Sequence, residues 1–473
     1  MKLSLSDLWR WNGTIERSGY LFWGMLLFLI KSQLDRLIAY RMFHRSWSLW
    51  SYLIPGESGS VRDMRGDEQA FYAVLIAIAL PFIWSGVVLT LRRLRDMQVP
   101  LWLVIMFFVP VVNLFFFLIL SLLPSQRDEA PSPPEATPEN SSVLERIVPK
   151  SKLGSAFLGL IVTAILTVLG TALSTQLLGN YGWGLFIGLP FCLGLTSVLI
   201  YGYHQERSLK SCFGVAMLSL GISAGALLAF AMEGIVCLIM AIPLAVPLAL
   251  LGAATGYCLH LHRHEKPYAD RVMLGVALFL PLYMSAERMT APEPPVMQVV
   301  TSIDVDAPPQ AVWKNVVSFG QLDEPNELLF KIGLAYPVRA NIAGRGVGAL
   351  RLCVFSTGAF VEPIEVWDEP RLLQFSVTEN PPPMQEWTIY PAIHPKHLHG
   401  FLVSKAGQFK LTPLPGGRTR LEGTTWYSHS MWPVEYWRLW SDYVIHRIHL
   451  RVLNHVKNLS ESARVADGKE VRP

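Results

Sequence analysis

Residues 153–178 read LGSAFLGLIVTAILTVLGTALSTQLL, with no charged side chain. An apolar run of about 20 residues or more is too long for a core strand and matches the thickness of a bilayer. In lipid such a run must be helical, because no water is present to satisfy its backbone. Four further runs follow at 182–203, 212–232, 234–259 and 272–286, broken only at Asn180 and Tyr181, at 204–211, around Glu233 and at 260–271. The chain is therefore an integral membrane protein, with a module before this five-span block and a soluble domain after it.

Composition agrees. Apolar residues make up 51% of the 473-residue chain and charged ones 16%, below the roughly 25% of ordinary soluble proteins. The formal net charge of +4 is small, and no basic run points to nucleic acid. Of the five cysteines, Cys192, Cys212, Cys237 and Cys258 fall in or beside the spans, while Cys353 stands alone in the soluble domain, so no internal disulfide is expected there. The first apolar run follows a Trp-rich amphipathic segment and precedes no small-residue cleavage site, so it is not read as a signal peptide.

In chain order, residues 1–18 carry Lys2, Arg10 and Arg17 around Trp9 and Trp11, the pattern of an interfacial anchor. A first span is expected over 19–40. It contains Lys31 and Asp35, four apart on one helical face, which either neutralise each other or form a transport or relay site. A polar loop, 41–68, leads to a second span at 70–91, which ends in Arg92-Arg93-Leu94-Arg95-Asp96, a cytoplasmic marker. The apolar stretch 100–123 has Pro110 and Asn113 at its middle and reads as one crossing or as a re-entrant hairpin.

Three features of this region, Gly13-x-x-x-Arg17-x-x-x-x-Phe22-Trp23, the Arg92–Asp96 run, and Pro100-Leu-Trp102 with Pro110 beyond, resemble the small bacterial inner-membrane family called domain of unknown function 805. The resemblance covers about 8–124. Arg95 stands where the family usually has His, and Thr14 where Arg is common. It implies a membrane module and no known activity.

Residues 124–152 are rich in Pro, Glu and Ser and read as a disordered linker. Short basic connectors at 92–95, 146–152, 207–210 and 263–271 are expected to face the cytoplasm. If 100–123 makes no net crossing, the N-terminus is cytoplasmic and the soluble domain periplasmic. Glycines and prolines within the block (Gly182, Gly184, Gly188, Pro190, Pro243, Pro247, Gly252, Gly256) predict close packing and kinks. Glu233 reads as the lone acid amid the spans, either a turn residue at the interface or a buried functional carboxylate. His260, His262 and His264 beside Arg263 read as part of a basic cuff more simply than as a metal site.

Past Pro292 the periodicity changes. A strand is expected at 299–305, a helix at 310–319, strands at 348–356, 359–366, 371–378, 384–390, 398–412 and 418–428, and a closing helix over 433–464 with Trp437, Trp440, Val444, Ile448, Val452, Val456 and Leu459 on one face. This is a helix-grip pattern: an antiparallel sheet wrapped on a long C-terminal helix, with a cavity between. The fold class is thus multidomain, a polytopic α-helical membrane protein plus an α+β helix-grip domain. The domains are 1–123, a linker 124–152, the block 153–288, the soluble domain 297–463, and a disordered tail 464–473. Ile303-Asp-Val-Asp-Ala307-Pro308, the Glu-Pro-Ile-x-x-Trp-Asp-Glu-Pro run from Glu362, and Gly417-x-Thr-Arg-Leu-Glu-Gly-Thr-Thr-Trp-Tyr427 resemble the SRPBCC superfamily (START-like, polyketide cyclase and lipid-transport type). That superfamily includes binders, carriers and enzymes, so the resemblance implies fold and leaves function open.

Strand parity places Phe360, Glu362 and Ile364 on one face, with Glu365 opposite. If that face is inward, Glu362 enters the cavity with Phe360, Ile364, Phe375, Tyr427 and Trp437 as companions. It then either acts on a ligand or pairs with Arg351 or Arg420. His394-x-x-His397-x-His399 fits no standard zinc spacing and reads as a loop at the surface or cavity mouth, and His446 and His449 as the solvated side of the last helix. No Ser/His/Asp order or nucleotide loop is visible, and no catalytic residue, cofactor or metal is assigned. Three functions fit: a membrane-anchored module binding an apolar ligand such as a lipid or isoprenoid-like molecule; an enzyme working through Glu362; or a transporter or sensor in which Lys31, Asp35 and Glu233 act and the soluble domain regulates. The expected partners are membrane lipids and a hydrophobic small molecule, in a bacterial inner membrane. The sequence leaves the oligomeric state open.

Overall fold

The computed structural model describes residues 5–47, 49–52, 66–123, 143–261, 267–290, 293–388, 390 and 395–470. The chain divides into two compact units: Met1–Ser58, Met64–Phe230 and Ala241–Pro292 in the first, and Ala231–Met240 with Glu293–Pro473 in the second.

The first unit is helical. It holds α1 (Arg17–Phe43), α2 (Gly66–Asp96), α3 (Val112–Leu122), α4 (Val143–Ile147), α5 (Lys152–Thr171), α6 (Leu189–Tyr201), α7 (Leu209–Ala229), most of α8 (Ile235–Leu261), and α9 (Pro267–Met289). Among the described residues six helical stretches are long and apolar enough to cross a membrane: Gly66–Asp96, Lys152–Leu177, Gly184–Tyr201, Leu209–Ala229, Ile235–Leu261 and Ala269–Met289. Gly184–Tyr201 is 94% buried while the others are 22–33% buried, so α6 is the central helix of its unit.

Small residues make that centre possible. A Cβ added to Gly194 would fall on the Ala249 carbonyl, one on Gly252 on the Phe191 carbonyl, and one on Gly256 would lie 3.2 Å from Leu195 O. The backbones of α6 and α8 therefore touch, as apolar helices do in lipid, where packing rather than water exclusion drives association. Glu287 adds a polar clasp. Buried at the end of α9, it accepts from the backbone N–H groups of Trp183 at 2.5 Å and Gly184 at 3.2 Å, at the start of the α6 stretch. A carboxylate suits the unpaired donors at a helix start. Glu233 is thus not the only acid in this region, because α9 runs past the expected end at 286.

The segment 100–123 is broken. A 3₁₀ helix, Leu101–Phe108, is followed by a γ-turn in which Val112 N–H donates to Pro110 O at 2.8 Å and Val111 adopts φ +68°. At about 2.0 and 1.5 Å rise per residue, this helix and α3 each span roughly half the hydrocarbon thickness. The Arg92–Asp96 run is the last turn of α2 rather than a loop, and its charges are used internally. Arg92 donates to Asp7 O at 3.0 Å and Thr14 O at 3.1 Å. Arg93, fully buried, pairs with Asp96 and donates to Leu120 O at 3.0 Å and to Leu123 O at the end of α3. Two stretches expected to lack structure are helical: α4 within the linker, and the end of the last helix within the tail. In α4 the Leu-Glu-Arg centre is a run of good helix formers, and the tail stretch continues the long helix α12. The rest of the linker, residues 124–142, lies outside the described residues.

In the second unit β1 (Val296–Val305) leads through α10 (Pro309–Val317) and α11 (Leu328–Lys331) to β2 (Pro337–Ala343), β3 (Leu350–Phe355), β4 (Gly358–Asp368), β5 (Leu372–Ser376), β6 (Leu402–Leu414), β7 (Arg418–His429) and α12 (Val434–Glu470). The sheet is antiparallel in the order β1-β7-β6-β5-β4-β3-β2, and α12 packs against β1, β2 and β7: the expected helix-grip fold. Three expectations need correction. The segment 384–390 is not a strand; Met384 makes only an isolated bridge to Leu334. The edge strand β2 occupies PVRANIA, whose Arg339 and Asn341 hide any alternation. Among the described side chains of α12 the last buried one is Ser460, which accepts from Asn315 at 2.9 Å, while Leu459, expected on the buried face, is 39% exposed.

The α6–α8 contact yields opposite signs for two Gly→Ala changes. Gly221 of α7 faces open space, so G221A is expected to raise stability by about 0.5–1 kcal/mol through helix propensity. G252A is expected to lower it by about 1–3 kcal/mol or more through overpacking. Thermal unfolding of the detergent-solubilised chain measures both; a shift of the same sign would contradict the packing.

Candidate ligand-binding site

Two chambers lie within the second unit between the sheet and α12. The inner one, about 120 Å³, is lined by Arg351, Cys353, Glu362, Phe375, Gln408 and His449 among others. The outer one, about 130 Å³, is lined by Cys237, Met384, His397, His429, Trp437 and Trp440 among others. They share Phe355, Phe360, Ser404, Ile445 and Ile448.

Alternation along β3 and β4 builds the inner chamber. Arg351 and Cys353 share the inward face of β3, and Arg351 is the cross-strand partner of Glu362 on β4. Both are buried and ion-paired. The guanidinium also donates to Val317 O at 3.3 Å, at the end of α10, and lies 5.7, 5.4 and 5.5 Å from the ring centres of Phe319, Phe375 and Phe409. Burial lifts the Glu362 carboxyl above its ordinary value against the lowering pull of Arg351. Burial opposes the charge on Arg351, but Glu362 and Cys353 outweigh it and hold the guanidinium above its usual range. Burial also pushes the Cys353 thiol up to about 12. Gly407 makes room for this wall: a Cβ there would lie 2.7 Å from the Phe375 ring.

The face of β4 is as parity predicts, with Phe360 and Glu362 lining the chamber and Glu365 exposed. Phe375 also lines it, and Trp437 lines the outer chamber. Ile364 belongs instead to the packed core, and Tyr427 is turned into the seam with α12, its hydroxyl donating to Asp442 at 2.6 Å and lying 2.8 Å from Ser441. Arg420, the alternative partner for Glu362, pairs with Asp304 at the surface. His446 is exposed, as expected, though its Nδ1 lies 2.8 Å from Thr301 Oγ1; His449 instead is turned inward and bridges Thr301 at 3.1 Å and Thr425 at 2.8 Å. Threonines on the inner face of β1 and β7 draw the His449 ring inward, a pairing that helical periodicity cannot show. Burial lowers His449 to about 4, with His446 adding to the shift.

In the first unit Lys31 and Asp35 pair with each other, and the Tyr52 hydroxyl donates to Asp35. The two charges neutralise each other, while Asp35 Oδ1 is buried with no hydrogen-bond partner. His262, His264 and His394 lie outside the described residues, and His260 is bonded to the carbonyls of Val198 and Leu199 at 3.1 and 3.2 Å.

Glu233 sits in the turn before α8, but it is buried. With Ala231–Met240 it belongs to the second unit, where its neighbours are Cys237, His397 and Glu386. His397 is buried, not a surface histidine, and burial lowers it to about 4, with His399 adding. Burial raises the Glu386 carboxyl, opposed by Cys237 and the backbone N–H of Val236. Sequence reading missed Cys237 and Glu386; the i, i+4 spacing of Glu233 and Cys237 was the available signal.

Residues 8–131 match the family described as Protein of unknown function (DUF805), as the Arg92–Asp96 motif implied. No curated protein matches the sequence. Among solved structures the chain is similar to an aromatase/cyclase from Streptomyces sp. R1128 (16% identity, TM-score 0.24, 35% of this chain and 94% of that one). It is also similar to a norcoclaurine synthase point mutant from Thalictrum flavum (11%, TM-score 0.25, 36% and 98%) and to a protein from Nitrosomonas europaea (14%, TM-score 0.23, 36% and 97%). At these scores the fold assignment rests on the strand order and α12 alone.

Two predictions follow from the inner chamber. E362Q leaves Arg351 buried without a counter-charge and is expected to cost about 3–5 kcal/mol, whereas R351M/E362L is expected to cost less than either single change. Urea unfolding of the solubilised chain with pulse proteolysis of the C-terminal unit tests the cycle. For His449 the folded value, about 4, lies below the ordinary 6.5, so the unfolded chain protonates first. Stability attributable to it is present above about pH 6.5 and is lost as pH falls toward 4. The drop in Tm between pH 7.5 and 4.5 is therefore expected to be smaller in H449Q; an equal drop would contradict it.

Proposed function

We propose that this multi-pass membrane protein uses its C-terminal helix-grip domain to bind a slender hydrophobic molecule, of the lipid or isoprenoid-like class. The observation that carries this reading is the pair of chambers with common walls, Phe355, Phe360, Ile445 and Ile448, running between sheet and helix. Each is compact beside the roughly 300–1,000 Å³ of drug-sized ligand pockets, which favours a chain-like occupant over a bulky ring system. The ionisable groups Glu362 and His449 of the inner end are already engaged, the first by Arg351 and the second by two threonines. That supports binding over catalysis through Glu362, whose carboxylate would have to leave its buried partner to act. The closed Lys31–Asp35 pair likewise lends no support to a transport role. We place the protein in a bacterial inner membrane, its N-terminus cytoplasmic, segment 100–123 re-entrant and the C-terminal domain periplasmic, taking its ligand from the surrounding lipid.

The test is native mass spectrometry of the full chain released from detergent, with extraction of what co-purifies. A bound apolar molecule in the wild type, lost in A406F while Tm stays within a few degrees, is the expected result. An empty wild-type domain after gentle extraction, and no uptake of a fluorescent fatty acid or isoprenoid, would overturn the reading.

A further inference from the structure

Four side chains able to ligate a metal converge in the second unit, away from the Arg351–Glu362 wall. Donor atoms of Glu233, Cys237 and His397 lie within 4.8 Å of one another. The Cys237 sulfur is 2.8 Å from His397 Nε2. The other ring nitrogen, Nδ1, is 3.4 Å from a Glu233 oxygen. Glu386 completes the group, its Oε1 standing 4.0 Å from His397 Nε2.

The placement of Glu386 is the independent observation. The residue is 7% exposed; its Oε2 accepts from the Val236 backbone N–H at 3.2 Å, while Oε1 is buried with no hydrogen-bond partner. A buried carboxylate oxygen left unpaired costs free energy and calls for an explanation such as an ion. The backbone is shaped to hold it there: a Cβ on Gly234 would fall on the Glu386 carboxylate, and Ile235 N–H donates to Trp387 O at 2.9 Å, fixing the neighbouring residue. Around the polar cluster stand Val236, Phe330, Leu334, Met384 and Leu398, an apolar shell that excludes water.

We propose that Cys237 Sγ, His397 Nε2 and Glu386 Oε1 bind a divalent transition-metal ion of the zinc class, with Glu233 accepting from His397 Nδ1–H to orient the ring. One thiolate, one imidazole and one carboxylate form a borderline donor set that suits zinc, cobalt or nickel and not magnesium or calcium, which take oxygen ligands. A carboxylate behind the second ring nitrogen is the common partner of a metal-bound histidine and fixes its tautomer. Three protein ligands leave one position on the ion for water or a ligand group, and Cys237 and His397 both line the outer chamber. The site does not depend on the identity of the apolar ligand.

The experiment is metal analysis of the tag-free full chain, purified in detergent under reducing conditions, together with titration by cobalt(II). The wild type is expected to carry about one equivalent of zinc and, on cobalt binding, to show a thiolate-to-cobalt charge-transfer band with intense visible bands of low coordination number. C237A and H397A are expected to abolish the near-ultraviolet band, E386Q to weaken binding at least 100-fold, and E233Q 10–100-fold as an orienting residue. H399A, at an exposed neighbouring histidine, is expected to bind like the wild type. Absence of a charge-transfer band in the folded wild type would overturn the proposal without recourse to any variant, as would undiminished metal binding in C237A or H397A, or loss in H399A alone.

Discussion

The buried pair of Arg351 and Glu362 is the constraint on which the helix-grip domain depends. Taking two charges out of water costs several kcal/mol each and is offset only by close pairing and full hydrogen bonding. Meeting that requirement fixes more than two side chains. Arg351 and Glu362 must stay opposite each other, which sets the register of β3 on β4. The guanidinium must reach Val317 O, which ties the end of α10 to the sheet, and its face must be covered by Phe319, Phe375 and Phe409. Phe375 and Phe409 line one end of the inner chamber, and Gly407 is bare because Phe375 occupies the space a side chain would need. The cavity is shaped at that end by the demands of a charge pair.

The membrane unit obeys the same rule. Several of its buried charges are joined to backbone or to each other: Arg93 with Asp96 and the end of α3, Glu287 with the start of the α6 stretch, Lys31 with Asp35. Apolar packing supplies the remaining contact, and it is close because Gly194 and Gly252 allow α6 and α8 to meet backbone to backbone. The arginine run that resembles a cytoplasmic loop marker is, in Arg92 and Arg93, a pair of internal staples.

What could be read in advance follows from which interactions are local. Span length and the absence of charge are local, and the apolar runs coincide with helices. Alternation along β4 is local, and it placed Glu362 inward with Phe360 while leaving Glu365 outside. Pairing across the sheet is not local. Nothing in PVRANIA announces that it forms the edge strand β2, and nothing in the helical spacing of His449 says that Thr301 and Thr425 will draw it in. Tyr427 shares the inward face of β7 as expected, yet α12 takes its hydroxyl through Ser441 and Asp442. The Cys237, Glu386 and His397 cluster joins residues some 150 positions apart, and an isolated segment reveals none of it.

The two chambers differ in whether their metal-ligating and charged groups are used. In the inner chamber the charges of Arg351 and Glu362 cancel and the nitrogens of His449 are both engaged, so beyond the Thr424 hydroxyl the space presents itself to an occupant as apolar despite its charged wall. In the outer chamber a thiol and an imidazole stand beside a carboxylate oxygen that has no partner. Unspent ligating capacity in an apolar enclosure costs stability unless something takes it up. If chemistry or regulation resides in this domain, the electrostatics place it at Cys237, Glu386 and His397, and leave Glu362 to hold the fold.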